Sequence, residues 1–390
     1  MRSGGSSRQM EGKVAAAERS RAPLHRVQPS EARRGWWCRR HFPDCPRTGL
    51  LPPGESAMER VGHVRKRPVR AADARARRRW AARAVGDARR CAVGRPDFKA
   101  RALSRMQLSA QELERFLADG GLSRVARRLA ESARPAIGLV PVRTAEDRIP
   151  LGGSKLGGRP DLLPETPWPA REGCPLGFLA QINLGAVPRA AWLEELLPSS
   201  GLLSFFYDLD QNAWGFLPED RGSWRVLYIP DNLDRLARRE PPEAERNAAP
   251  FASCRLDFCE TVSLPDWSHL HRYGITLTDA EFDLYVDLRE EVGGDGRGYF
   301  YHRLFGHPDV IQGDEMELEC ELTSSGVLWR TPQAKALEPR AVRWCLLLQL
   351  DSERDAGMNW VDFGILYFWI PREDLIRRHF DDVWMLLQST

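Results

Sequence analysis

Short apolar runs rich in aromatic and β-branched residues, each bounded by Gly, Pro or Asp, recur at Ile137 to Val142, Gly177 to Ile182, Leu202 to Tyr207, Trp224 to Ile229, Val342 to Leu350, Phe363 to Ile370 and Val383 to Leu387. Runs of this length and composition predict strands. Helical spacing is scarcer. Leu113, Phe116, Leu117, Leu122, Val125 and Leu129 fall on one helical face, and Gly120-Gly121 divides that face into two short helices. Ser109 precedes Glu112, and Thr278 precedes Glu281, at the spacing of a capping box, in which hydroxyl and carboxylate satisfy orphan amides at a helix start. Further helices are expected over Arg189 to Leu197, Asp231 to Arg239, Thr278 to Glu291 and Pro371 to His379, the last with Pro in its first turn. In the run Asp314-Glu-Met-Glu-Leu-Glu-Cys-Glu321, carboxylates alternate with Met316, Leu318 and Cys320. That alternation predicts a half-buried edge strand with a charged, solvated face.

The strand-rich part repeats itself. Lys155-Leu-Gly-Gly-Arg-Pro-Asp161 returns as Arg303-Leu-Phe-Gly-His-Pro-Asp309, Phe178-Leu-Ala-Gln-Ile-Asn183 as Leu346-Leu-Leu-Gln-Leu-Asp351, and Gly201-Leu-Leu-Ser-Phe-Phe206 as Gly364-Ile-Leu-Tyr-Phe-Trp369. The spacings Gly158/Gly306, Gln181/Gln349 and Gly201/Gly364 are 148, 168 and 163, so they differ only by loop-sized amounts. The expected fold class is α+β: one compact, strand-rich domain built from two diverged β-rich copies near 151–230 and 300–390, preceded by a short helical segment and a disordered basic tail. In each copy the Gly before x-Pro-Asp is expected in a backbone conformation that a Cβ would obstruct. Two such copies are expected to pack about a pseudo-twofold axis, bringing Gln181, Gln349, Asp355 and Trp360 to a shared surface.

These segments, with His307-Pro-Asp-Val-Ile-Gln-Gly-Asp314 and the closing Phe380-Asp-Asp-Val-Trp-Met-Leu-Leu-Gln388, resemble the YwqG-like bacterial family, a domain of unknown function. The resemblance covers approximately Ile137 to Gln388. It implies an α+β, strand-rich fold and no established catalytic residues.

Charge divides the chain in two. Residues 1–105 hold 27 Lys+Arg against 9 Asp+Glu, a balance of +18, while residues 106–390 hold 30 against 45, or −15. The domains expected are therefore an Arg-rich tail at 1–105, a helical segment at 106–135 and the α+β body at 136–390. The tail reads either as a nucleic-acid arm, whose cations would neutralise phosphates, or as codons upstream of a natural start at Met106, next to the capped Ser109. The second reading is preferred, so nucleic acid is a partner only if the tail is genuine. No uninterrupted apolar run approaches roughly 18 residues, and no signal-peptide core is present, so a membrane partner and export are not expected. The cysteines at 38, 45, 91, 174, 254, 259, 320 and 345 leave an odd number in the body, which points to reduced thiols in a cytoplasm.

Candidate chemistry is sparse. Cys38, His41 and Cys45 supply three ligands in unpatterned chain, fewer than a structural zinc site needs. Gly152, Gly153, Gly157 and Gly158 surround Lys155, but the prolines that follow leave no helix to cradle a phosphate, so a structural turn is expected. His302, His307, Asp309, Asp314 and Glu315 are the densest group of acid/base or ligand types, and the two histidines read as satisfied, partly exposed loop residues. There is no Gly-x-Ser-x-Gly and no Cys-x-x-Cys. Trp168, Trp214 and Trp360 lie in Pro- or Asp-rich loops, where aromatics either plug sheet ends or form recognition surfaces beside carboxylates. The candidate binding surface is Lys155, Gly158, Trp168, Gln181, His302, His307, Asp309, Gln312, Asp355 and Trp360, with no catalytic residue, metal or cofactor assigned. The function expected is non-catalytic recognition of a protein or small ligand. The alternative is an enzyme with its site between the copies, using His302, His307 and nearby carboxylates.

Overall fold

The computed structural model describes residues 109–242, 251–294, 298–313 and 315–389. The Arg-rich segment, the Met106 start, the Cys38–Cys45 group and Asp314 lie outside the described residues.

Ser109 caps helix α1 (Ala110–Leu117): its hydroxyl accepts the Glu112 N–H at 3.2 Å, and the Glu112 carboxylate accepts the Ser109 N–H at 2.9 Å. Gly121, at φ +97°, breaks the chain before α2 (Ala126–Ser132). Helix α3 (Asp279–Val292) opens on the Thr278/Glu281 box. The three helices share one apolar cluster that includes Leu117, Leu129, Tyr285 and Leu288.

Ten strands form one sheet. They are β1 (Arg134–Arg143), β2 (Lys155–Leu156), β3 (Gly177–Asn183), β4 (Leu202–Tyr207), β5 (Trp224–Ile229), β6 (Cys254–Ser263), β7 (His302–Phe305), β8 (Trp344–Asp351), β9 (Ile365–Pro371) and β10 (Trp384–Gln388). Their order is β10-β9-β8-β7-β1-β6-β2-β3-β4-β5, and every neighbouring pair is antiparallel. The sheet curls until its ends nearly close. Trp224 on β5 donates its indole N–H to Val383 O at 2.8 Å, and its ring meets Trp384 edge-on with centroids 4.9 Å apart. Across the interior, Phe205 of β4 meets Phe368 of β9 at 5.1 Å. Such edge-to-face pairs add about 0.5–1.5 kcal/mol beyond area burial.

The order reads alike from both ends about the central β1/β6 ladder. Arg303 on β7 stands opposite Gly138, and Lys155 on β2 stands opposite Arg255, each two residues from the Val140–Asp257 pair. From there the ladders run Arg303–Gln349–Tyr367 on one side and Lys155–Gln181–Ser204 on the other.

Several expected elements differ. The acidic run forms a helix, α4 (Met316–Ser324), not an edge strand. Met316 and Cys320, four apart, face the core, and Glu321 is buried between Arg340 and Arg343 with its Oε2 accepting the Trp344 indole N–H at 2.9 Å. Asp231 to Arg239 gives only a 3-10 turn at Leu233–Arg235, because Ala237–Arg238 extends to pair with Asp161–Leu162. Arg189 to Leu197 likewise keeps a single 3-10 turn, Ala191–Leu193, between Pro188 and Pro198. Helices α5 (Pro332–Leu337) and α6 (Arg372–Arg377) complete the set named here, and Pro371 serves as the N-cap of α6. Among the described residues no helix is long and apolar enough to cross a membrane.

Candidate functional site

The recurring Asp and Gln residues build two matched ionic nests. In the first half, Asp161 N–H donates to Gln181 Oε1 at 2.9 Å, and Gln181 Nε2 donates to Asp161 Oδ2 and Gly153 O, both at 2.8 Å. In the second, Asp309 N–H donates to Gln349 Oε1 at 2.8 Å, and Gln349 Nε2 donates to Asp309 Oδ2 at 2.8 Å and Tyr301 O at 2.9 Å. A cation from the neighbouring strand serves each carboxylate. Lys155 Nζ lies 3.6 Å from Asp161 Oδ1, and Arg303 bonds Asp309 Oδ2. A second cation, an arginine, comes from elsewhere in the chain, downstream in the first nest and upstream in the second: Arg238 Nε at 2.9 Å from Asp161, and Arg289 at 2.6 Å from Asp309.

The nests differ in their outer partners. Glu146 binds the first, with Oε1 3.3 Å from Lys155 Nζ and Oε2 2.9 Å from Arg159 Nε. Tyr299 closes the second, its hydroxyl donating to Asp309 Oδ1 at 2.7 Å and its ring lying 4.9 Å from the Arg303 guanidinium. Burial alone would raise the Asp309 carboxyl, but Arg303 and Arg289 outweigh it and hold the group at about 2. The same opposition, led by burial and overcome by Arg238 and Lys155, lowers Asp161. Burial pushes the Lys155 ammonium down despite Asp161 and Glu146.

Gly158 and Gly306 take positive φ, +69° and +79°; a Cβ would come within 2.4 Å of Glu146 Oε1 and of Ser263 Oγ respectively. The other expected residues do not converge on one exposed surface. Lys155, Gln181, Gln349 and Trp360 are fully buried. The histidines are satisfied but not partly exposed, at 4% and 2% for His302 and His307. His302 Nδ1 accepts the Asp351 N–H at 3.2 Å, so Nε2 carries the proton to Glu353 Oε2 at 3.1 Å. His307 Nε2 donates to Ser132 O at 2.8 Å, and burial holds its pKa well below the ordinary range. Gln312 N–H donates to Gln388 Oε1 at 2.9 Å. Trp168 is half-buried, with its indole N–H on Leu176 O at 2.9 Å. Trp360 packs edge-on against Tyr207 and Phe251, which makes it a plug, the first of its two expected roles, and takes it off the candidate binding surface. Asp355 is exposed in the loop between β8 and β9, and its carbonyl accepts from Arg143.

Two open hollows flank the first half. One, of about 450 Å³, is lined by Arg143, Glu146, Gly158, Arg159, Phe251 and Ser253 among others. The other, of about 480 Å³, lies beside Pro150, Ser154, Pro188, Leu256 and Phe258. Ser154 Oγ accepts Asn183 N–H at 2.9 Å, as His302 Nδ1 accepts Asp351 N–H in the second half. Asp374 in α6 and His379 and Asp382 after it bring candidate metal-ligand atoms within 4.8 Å of one another. Two of the three are exposed, and sequence spacing did not single them out. Cys254 is buried and its thiol is pushed up to about 11, the opposite of an activated nucleophile.

A nearly closed antiparallel α+β sheet with a buried carboxylate–amide–cation nest in each half defines the class. The chain belongs to the family described as a domain of unknown function, DUF1963, whose model matches residues 154–389. The matched region takes in β2 through β10 and begins after β1. No curated protein gives a significant match.

Proposed function

We propose that this is a non-catalytic recognition protein of the bacterial cytoplasm, taking a protein or small ligand and no cofactor. One observation carries the reading: Lys155, His302, His307 and Asp309, among the ionisable groups singled out in the sequence, are bonded into the frame. Asp161, Lys155, Asp309 and Arg303 neutralise one another beneath the surface, and His307 is held by a main-chain carbonyl. Buried, mutually paired charges specify loop geometry and leave little to meet a substrate. The catalytic alternative rests on His302, His307 and nearby carboxylates, of which Glu353 meets His302 near the hairpin loop between β8 and β9. A pull-down with the full chain as bait, beside a broad substrate and metal screen, separates the two. Robust turnover lost in His302→Ala or His307→Ala would sink the recognition reading.

We also infer that residues 151–230 and 300–390 descend from one duplicated β-rich unit. The bond-for-bond match of Asp161/Gln181 with Asp309/Gln349, and the symmetric register about Val140 and Asp257, support this. Equivalent substitutions in the two halves should then cost alike, with Gln181 and Gln349 the pair to compare.

A further inference from the structure

In the hairpin loop between β8 and β9, Trp360 is buried while its neighbours Val361 and Phe363 are 39% and 42% exposed. Both neighbours sit at positive φ, +58° and +52°. That region is uncommon for any residue with a Cβ and an outlier for a β-branched one, so the surroundings must offset its cost. They do so with hydrogen bonds. Val361 N–H donates to Gln211 Oε1 at 2.7 Å, Phe363 N–H to Asn359 Oδ1 at 3.1 Å, and Gln211 Nε2 to Asn359 O at 3.0 Å. Gln211, on the loop after β4, is itself at φ +55°. Beneath them Trp360 N–H donates to Ser352 Oγ at 3.0 Å, and the Trp360 ring is wedged between Tyr207 and Phe251. Two loops thus commit strained residues and hydrogen bonds to hold two apolar side chains outward.

We propose that Val361 and Phe363 are the apolar anchors of a docking surface for a basic segment of a partner protein. This rests on the recognition reading and names the chemistry of its partner. Charge decides the occupant. Asp355 and Asp362 of this loop and Asp210 beside Gln211 stand against Arg354 and the Arg143 that bonds the Asp355 carbonyl, with Glu353 already bonded to His302, within a body whose balance is 45 acidic to 30 basic residues, or −15. A segment with arginines or lysines flanking one aliphatic or aromatic side chain meets opposite charge at the rim and apolar contact at the centre. An acidic segment meets like charge.

The test uses the full chain and a short fluorescent peptide carrying arginines on both sides of one phenylalanine, with its glutamate-for-arginine analogue, read by anisotropy. The expected result is binding of the arginine peptide alone, weakened about tenfold or more by Phe363→Ala and reduced by salt. Val361→Gly gives a second readout: relieved of strain, the protein melts about 2 °C higher while the peptide binds more weakly. Equal binding by wild type and Phe363→Ala, binding of the glutamate analogue, or no binding of either peptide overturns the surface. Capture of a partner by the full-chain bait, undiminished in Phe363→Ala, also overturns it and leaves the recognition reading standing. Turnover lost in His302→Ala removes the recognition reading itself.

Discussion

Replacing Gln349 with Leu nearly preserves side-chain volume and deletes a defined set of bonds. The Asp309 N–H loses its acceptor at 2.8 Å, Tyr301 O loses its donor at 2.9 Å, and Asp309 Oδ2 loses one of its donors at 2.8 Å. The carboxylate keeps Arg289, Arg303 and Tyr299, so the principal loss is two stranded main-chain groups. At about 1–3 kcal/mol for each buried unsatisfied group, less about 1 kcal/mol recovered by burying an apolar side chain, the net cost is about 1–5 kcal/mol. Gln181→Leu removes the same three contacts around Asp161 and should cost the same within a factor of about two. The assay is denaturant unfolding of the full chain, in which the midpoint falls and the slope holds. A loss below about 1 kcal/mol in either variant would mean that the nest does not hold its loop.

Three further outcomes follow from burial and charge. Trp360→Ala should lower stability by about 3–5 kcal/mol in the same assay, as for other fully buried aromatics; a neutral result would return Trp360 to the surface. Asp309, held at about 2 against an ordinary value near 3.9, contributes stability that is complete above about pH 4 and lost as pH falls toward 2, about 2–3 kcal/mol by linkage. The acid limb of the stability profile should therefore flatten in Asp309→Asn. Glu319 has the opposite sign: burial, partly opposed by the Trp329 indole, raises its carboxyl to about 7. The folded state then holds a proton that the unfolded chain releases, so this contribution falls as pH rises from about 4.5 to 7, and Glu319→Gln should raise the melting temperature at about pH 8. An unchanged melting temperature there would show that Glu319 is ionised at no cost.

Local patterning was legible where the sequence itself carries both partners. The two capping boxes and the runs Leu202–Tyr207 and Trp224–Ile229 were read to the residue, because hydroxyl–carboxylate spacing and apolar continuity suffice to define them. Other elements depend on distant partners. β6 was missed because Arg255, Asp257 and Glu260 dilute its apolar pattern, and only pairing with β1 along its full length fixes it. The acidic run was misread because alternation at i and i+2 also places Met316 and Cys320 on one helical face, and the arginines that satisfy Glu321 lie some twenty residues on. For the site, the repeat located Gly158, Gln181, Asp309 and the hairpin loop. It could not tell that Trp360 turns inward while Phe363 turns out, since that depends on the positive φ at Val361 and Phe363 and on Gln211 from another loop.

The central claim is that the buried ionic groups hold the loops and the exposed hairpin recognises a partner. It is tested most directly by comparing three full-chain baits, wild type, Phe363→Ala and His302→Ala, for capture of the same partner and for turnover across one substrate panel. The claim requires capture lost in Phe363→Ala, retained in His302→Ala once a matching melting curve shows it folded, and no turnover by any bait. Turnover abolished in His302→Ala, with capture indifferent to Phe363, would contradict it.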